Sequence, residues 1–344
     1  TEVMPRPGTL NLITDITGLL VGHATADEAQ SGVTVLRCEK PMKAAVDLRG
    51  GGPGTRETEV LLPENLVDEI DALVFSGGSV FGLAAADSVA AALSHQEIGL
   101  SLTGSGPTIP IVPAAVLHDL GNGGRKDWAG TPPYHRLGAE ALAAIATEFG
   151  LGATGAGRGA TAGTVAGGVG STSIDLGEDT IIGALAVVNS MGSVLLPDGE
   201  SFYAWQYEQQ HEFGNKAPPA RCDLGDPFPA FGRLHEAGRI QAGVNTTLAA
   251  IATTVALTGA ELKRVAMMAH DGLARAIRPA HTPFDGDIVF AMSNGDVKLP
   301  DRSDSFDRAS SVARIGSAAA DCLARAIARG VFESANAEKR ENTG

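Results

Sequence analysis

Hydrophobic and polar positions switch repeatedly along this chain between the period of a strand and that of a helix. Residues 72–75 form a short apolar run that stops at Ser76-Gly77-Gly78 and predicts a strand. The Ala-rich stretch 83–93 predicts a helix, and 137–149 a second one. Residues 150–170 carry nine Gly in 21 positions and break both periods. Residues 180–189 (TIIGALAVVN) and the run LAAIATTVAL after Asn245-Thr246-Thr247 are almost continuously apolar, as strands covered on both faces are. An amphipathic helix is predicted over 261–277, a strand over 287–292 and a last helix over 311–332; the polar tail from Glu333 is expected to fray. Residues 203–244, rich in Gln, Glu, Pro and Gly, read as a long exposed loop. No internal repeat is present. The mixture excludes all-α and all-β folds. Strands buried on both faces favour a layered α/β/β/α sandwich, with an open doubly wound sheet as the alternative.

Composition narrows the function. The 344 residues include 44 Gly and only 5% aromatics. No Gly-X-Y period exists, and the Gly alternate with aliphatic residues, so the picture is a packed protein with many tight turns and close backbone approaches. A net charge of −14, from 26 basic and 40 acidic residues, argues against binding a phosphate backbone. Cys38, Cys222 and Cys322 are far apart and odd in number, which is neither a disulfide framework nor a metal quartet and fits a reducing compartment. There is no apolar run of the roughly 18 residues a membrane span needs, and no signal-like segment among the first residues. The expectation is a soluble cytoplasmic protein with no nucleic-acid or membrane partner.

Several patterns carry candidate chemistry. Gly155-Ala-Gly157-Arg-Gly159 has glycine spacing like a dinucleotide fingerprint, but it follows a predicted helix instead of a strand, and a tight turn is the better reading. The eight His are scattered with no metal spacing; His281 and Asp285 are near each other in sequence, but a lone His is more often structural or solvated. No cofactor or metal is expected. No Gly-x-Ser-x-Gly elbow occurs; Ser76-Gly-Gly-Ser79 is the nearest pattern and suits a helix N-terminus equally well. Asn245-Thr246-Thr247 sits where the long polar stretch meets a buried strand. It reads either as a plain strand start or as a self-cleaving junction. In the second reading Thr246 attacks the carbonyl of Asn245, and hydrolysis of the resulting ester frees Thr246 as a new N-terminus whose α-amine serves as base for its own hydroxyl. Asp285-Gly286-Asp287 reads either as a turn with solvated acids or as two carboxylates on one face that share a proton or orient an amine.

Together these pieces resemble the self-processing aminopeptidase family of L-aminopeptidase/D-amidase/esterases, β-peptidyl aminopeptidases, a pantetheine hydrolase and nylon-oligomer hydrolases. The resemblance runs from about Leu10 to about Phe332. It is carried in order by Gly22-His-Ala-Thr25, Arg49-Gly-Gly-Gly-Pro-Gly-Thr-Arg-Glu-Thr58, Ser76-Gly-Gly-Ser-Val-Phe-Gly-Leu83, Val112-Pro-Ala-Ala-Val116, Asn245-Thr-Thr247 and His281-Thr-Pro-Phe-Asp-Gly-Asp287. It implies a four-layer α/β/β/α fold like that of N-terminal-nucleophile hydrolases. It also implies one hydrolase domain over 1–344, cleaved into an α chain, 1–245, and a β chain, 246–344. Thr246 matches the nucleophile, Asn189 the amide of the oxyanion hole, and Asp285 and Asp287 the acids beside the nucleophile's amine; the Asp/Asp form is similar to the nylon-oligomer hydrolase branch. Thr164 stands where several relatives have lysine, and His118 where some have tyrosine; both, with Ser79, are candidate pocket residues. The implied substrate is a short peptide, an amino-acid amide or an amino-acid oligomer, and the implied assembly is a tetramer of αβ units. A β-peptidyl aminopeptidase, a pantetheine-type hydrolase and an acyltransferase on the same scaffold stand as alternatives.

Overall fold

The computed structural model describes residues 4–102, 104–226, 245–299 and 305–341. Its strands are β1 (Leu19–Ala26), β2 (Ser31–Leu48), β3 (Gly54–Arg56), β4 (Glu69–Ser76), β5 (Ala114–Val116), β6 (Thr161–Ala162), β7 (Val165–Ala166), β8 (Gly168–Asp175), β9 (Ile181–Asn189), β10 (Thr246–Val255) and β11 (Ile288–Val297). Its α-helices are α1 (Ala84–His95), α2 (Tyr134–Ala143), α3 (Gly259–Ala276) and α4 (Ser305–Glu341). Hydrogen bonding runs in the order β3-β5-β4-β2-β11-β10-β9-β8, with β1 also on β2.

Strand β2 explains how one ladder makes two layers. Its first part, Val33 to Arg37, pairs with β4, and its last part, Lys43 to Leu48, pairs with β11; the register shifts between Arg37 and Met42. Such an irregularity bends a strand and re-aims its second half. Alternation along the strands then separates three apolar cores. Leu73 and Phe75 of β4 face Leu185, Val187, Leu248, Ala250, Ile288 and Phe290 across the middle of the molecule. Ala72 and Val74, one residue out of phase, pack with Val33 and Val35 against Val89, Leu93, Leu137 and Ala141 of α1 and α2. On the other outer face Ala184, Ala186, Ala249 and Ile251 pack against α3 and α4 through Leu262, Val265, Leu273, Leu323 and Ile327. The layers are helix, sheet, sheet, helix, which is the sandwich predicted from strands covered on both faces.

Several boundaries differ from the sequence pattern for identifiable reasons. Helix α2 covers 134–143, not 137–149, because the chain turns out to pair Ala146 with Val21 of β1. Helix α4 begins at Ser305 and does not fray at Glu333. Ser334 is fully buried, and its hydroxyl donates to the carbonyl oxygens of Gly167 and Gly330. The glycine-rich stretch hides β8, whose glycines admit α4: a Cβ on Gly170 would lie 1.8 Å from the carbonyl oxygen of Ala326. Its first part forms a short 3₁₀ turn at 155–157 and the β6–β7 hairpin, so the tight-turn reading holds there.

The stretch expected to be one exposed loop is tied down over 203–213, stays mostly exposed without helix or strand over 214–226, and 227–244 lies outside the described residues. Phe213 packs into the core edge-on to Phe202. The Glu212 carboxylate accepts from Nε and Nη2 of Arg325 at 2.6 and 2.8 Å, both side chains being buried. Arg325 also donates to the Ser173 carbonyl and to Asn11 Oδ1. Removing one partner of such a pair strands the other charge. Arg325→Ala is expected to lower stability by about 3–5 kcal/mol, read as a fall in the urea unfolding midpoint. No helix of the described residues is long and apolar enough to cross a membrane.

Candidate active site

The site lies at one end of the space between the two sheets. Thr246 opens β10, and the alternation that sends Leu248 and Ala250 into the central core places Thr246 on that face. Asn189 closes β9 and is the cross-strand partner of Thr246. Directly opposed antiparallel residues have Cβ atoms about 4.5–5.5 Å apart, so register alone puts these two side chains side by side. Asn245, Thr246 and Asn189 are all buried. The Thr246 hydroxyl donates to the carbonyl oxygen of Asn245 at 2.5 Å, and the backbone N–H of Gly286 donates to the same oxygen at 2.8 Å. The carbonyl at the candidate cleavage point is therefore already polarised by a fixed N–H.

The acidic pair enters on the segment before β11. Asn245 and Asp285 form a parallel bridge, which seats residues 285–287 against the start of β10. Asp285 and Asp287 precede the strand instead of lying in it, yet both are buried, at 1% and 2% exposure. That overturns the reading of solvated turn acids. Asp287 Oδ1 accepts the Thr247 N–H at 2.8 Å. Asp285 Oδ2 accepts the Thr282 N–H at 2.9 Å and its hydroxyl at 2.5 Å, while Oδ1 accepts the Met191 N–H at 3.3 Å. Burial and then the neighbouring Asp287 charge push the Asp285 carboxyl up to about 6. The loop after β2 clasps the pair from behind, through Arg49 N–H to the Asp287 carbonyl at 3.0 Å and Gly52 N–H to the Asp285 carbonyl at 2.9 Å. Gly286 is glycine for want of room: a Cβ there would lie 2.6 Å from the Thr246 hydroxyl oxygen and 2.8 Å from the Gly52 carbonyl oxygen.

The remaining candidates divide. The Asn189 amide is oriented by Thr161, whose N–H donates to its Oδ1 at 3.1 Å, and its Nδ2 donates to the carbonyl oxygen of His118 at 3.3 Å. His118 thus reaches the cluster through its backbone. Ser79 sits one step further out, its N–H donating to the Leu117 carbonyl at 2.9 Å. Thr164 is exposed at the turn of the β6–β7 hairpin. Cys38 and Cys322 are buried and their thiols are pushed up to about 12 and about 11, mainly by burial, which keeps them from acting as thiolate nucleophiles.

Two histidines to which the sequence reading assigns no role stand beside the acids. His281, a lone His by spacing, donates both its N–H and its ring Nδ1–H to Asp287 Oδ2, at 3.0 and 2.9 Å. His270 of α3 packs edge-to-face on the His281 ring with centroids 4.8 Å apart. The helical period marks His270 as inward-facing, but nothing in it names a partner.

Burial holds His270 and also His23 neutral, each pushed down to about 4. The unfolded chain takes up these two protons near pH 6.5 and the folded chain only near 4, so stability falls as pH drops through that window. Asp285 acts in the opposite sense, since the folded protein keeps its proton to about pH 6. Two groups outweigh one. The urea midpoint is expected to be lower at pH 4.5 than at pH 7.

Comparison with known proteins agrees with this picture. The profile of Peptidase family S58 matches residues 11–343. An uncharacterized aminopeptidase of Mycobacterium tuberculosis is 41% identical over 342 residues, covering 94% of each chain. A 6-aminohexanoate-oligomer endohydrolase of Kocuria sp. is 29% identical over 304 residues, 83% of this chain and 76% of that one. Among solved structures, a β-aminopeptidase of Burkholderia sp. superposes with a TM-score of 0.65 at 20% identity, over 96% of this chain and 88% of that one. The L-aminopeptidase D-Ala-esterase/amidase of Ochrobactrum anthropi, a variant of the Ntn hydrolase fold, gives 0.66 at 19% identity with the same coverages. The chain belongs to peptidase family S58 and is a hydrolase of peptide or amide bonds.

Proposed function

We propose that this protein is a self-processing amidohydrolase whose nucleophile is Thr246, released by cleavage after Asn245. The observation that carries the reading is the meeting of three groups at one buried point: the Thr246 hydroxyl, the Asn245 carbonyl held by Gly286 N–H, and the Asp285–Asp287 pair. In processing, Thr246 Oγ bonds to the Asn245 carbonyl carbon, the C–N bond to Thr246 breaks, and the hydroxyl proton ends on the released amine. Water then hydrolyses the ester, leaving the Asn245 carboxylate and a free Thr246 α-amine. That amine, with an ordinary pKa of about 7.7–8.0, takes the Oγ proton in each later turnover.

The carbonyl of an incoming substrate would occupy the place vacated by Asn245. Gly286 N–H and the Asn189 amide are then the donors for the developing oxyanion. The acids beside the new amine hold and orient it, which favours substrates cut near a free amino group. The substrate class is short peptides, amino-acid amides and amino-acid oligomers, the 6-aminohexanoate oligomers named for one relative among them. The α and β chains remain one unit after cleavage, since the buried Glu212–Arg325 pair joins them across the cut. A panel of L- and D-aminoacyl p-nitroanilides, β-alanyl amides and 6-aminohexanoate oligomers tests the reading, and hydrolysis of none of them would contradict it. Gly286→Ala is expected to push the Thr246 hydroxyl aside and to slow both processing and turnover by roughly 10²-fold, measured by the rate at which two chains appear on a denaturing gel.

A further inference from the structure

Asp287 is held in a way that the chemistry at Thr246 does not by itself require. Its Oδ1 is taken by the Thr247 N–H, one residue from the nucleophile, and its Oδ2 receives two N–H donors from His281. A carboxylate only accepts, so Nδ1 of His281 carries the proton in this contact. His281 adopts φ +56°, a left-handed conformation uncommon outside glycine, and it is in this conformation that both of its donors reach one oxygen. Behind it, His270 Nε2 lies 3.0 Å from the Asp47 carbonyl oxygen, which fixes that nitrogen as the donor, and His270 Nδ1 is buried without a partner among the described residues. The groups around His281 are Asp285 and Asp287 on its own segment and His270 from α3. Beyond His270 lie Asp47 and Arg49, and Lys263 of α3 bonds Asp47 at 2.7 Å.

We propose that His281 is a positioning residue for the acidic pair: it locks Asp287 as the ionised member, aimed at the Thr247 N–H, and leaves the shared proton of the pair to Asp285. His270 is its neutral backing. An imidazolium there would face His281 at ring-contact distance, and burial together with the nearby His281 and Arg49 opposes that charge. The two carboxylates therefore have unequal roles, and the inequality is set by His281 on the segment before β11, backed by His270 of α3.

The inference rests on the reading of Thr246 as the nucleophile, and the test separates the two. Wild type, His281→Gly and His281→Asn are purified as full chains, and kcat/KM for an aminoacyl p-nitroanilide is measured from pH 4.5 to 9 beside the thermal midpoint. Gly tolerates the left-handed backbone and keeps the backbone donor but has no side chain; Asn also tolerates that backbone, and its amide N–H returns a donor near the position of the ring Nδ1. With the ring donor gone, the ionised form of Asp287 is less favoured. His281→Gly is expected to lower kcat/KM roughly 10- to 100-fold and to move the acidic limb of the profile up by about one pH unit, and Asn is expected to move that limb back toward wild type. If His281→Gly processes slowly, the same limb is read from the pH dependence of its self-cleavage. An acidic limb that stays in place in both variants, with losses that track only the thermal midpoint, overturns the positioning role. Full activity in Thr246→Ala would overturn the underlying reading instead.

Discussion

Thr246→Ala is expected to stay a single chain and to lose amidase activity by roughly 10⁴- to 10⁶-fold, the range seen when a nucleophile that works as one unit with its base is removed. The size follows from a double role. In the proposed mechanism the hydroxyl that donates to the Asn245 carbonyl is the group that opens the chain, and the residue it belongs to then supplies both the nucleophile and, through its new α-amine, the base. Without the hydroxyl neither step has a starting point. The fold should survive, because Thr246 contributes one buried methyl and hydroxyl to a strand whose core contacts come from Leu248, Ala250 and the out-of-phase Ala249 and Ile251. Thr246→Ser is the informative companion. It keeps the hydroxyl and should still split, so a split Ser variant beside an intact Ala variant ties processing to the oxygen. The checks are a denaturing gel and initial rates on an aminoacyl p-nitroanilide.

The second large effect is expected at Asn189. Asn189→Ala should reduce kcat by roughly 10²- to 10³-fold with little change in KM, the pattern of a donor that acts on charge developing in the transition state. The amide cannot turn freely. Its oxygen is fixed by the Thr161 N–H and its nitrogen by the His118 carbonyl, at the end of β9 that pairs with Thr246. A mutation that merely loosened the end of β9 would instead lower the unfolding midpoint in proportion to activity. Single-turnover rates beside the midpoint distinguish the two.

Much of this is legible in the chain, and the legible parts share a cause. β9 and β10 are long apolar runs with polar residues at their mouths, so both the strands and the candidates Asn189 and Thr246 stand out from their surroundings. Their register cannot be read from the sequence. Only the folded ladder makes Thr246 the partner of Asn189. Asp285 and Asp287 are visible as a pair, but their burial is not, because turn acids with the same spacing are usually solvated; here the parallel bridge of Asp285 to Asn245 draws them inside. β2 escapes the pattern because its polar Arg37, Glu39, Lys40 and Lys43 interrupt it where the strand crosses between layers. β8 escapes because the glycines that break periodicity in sequence are the ones that let α4 approach. His270 and His281 come together only through the docking of α3 on the segment before β11, a contact between residues that no local pattern joins.

The central claim is that the chain cuts itself between Asn245 and Thr246. Denaturing mass spectrometry of freshly purified protein tests it most directly. The account predicts two masses that sum to the full chain plus one water, with N-terminal sequencing of the smaller beginning Thr246-Thr247-Leu248. A single full-length mass in a preparation that hydrolyses amides, or a new N-terminus at any other residue, would contradict it.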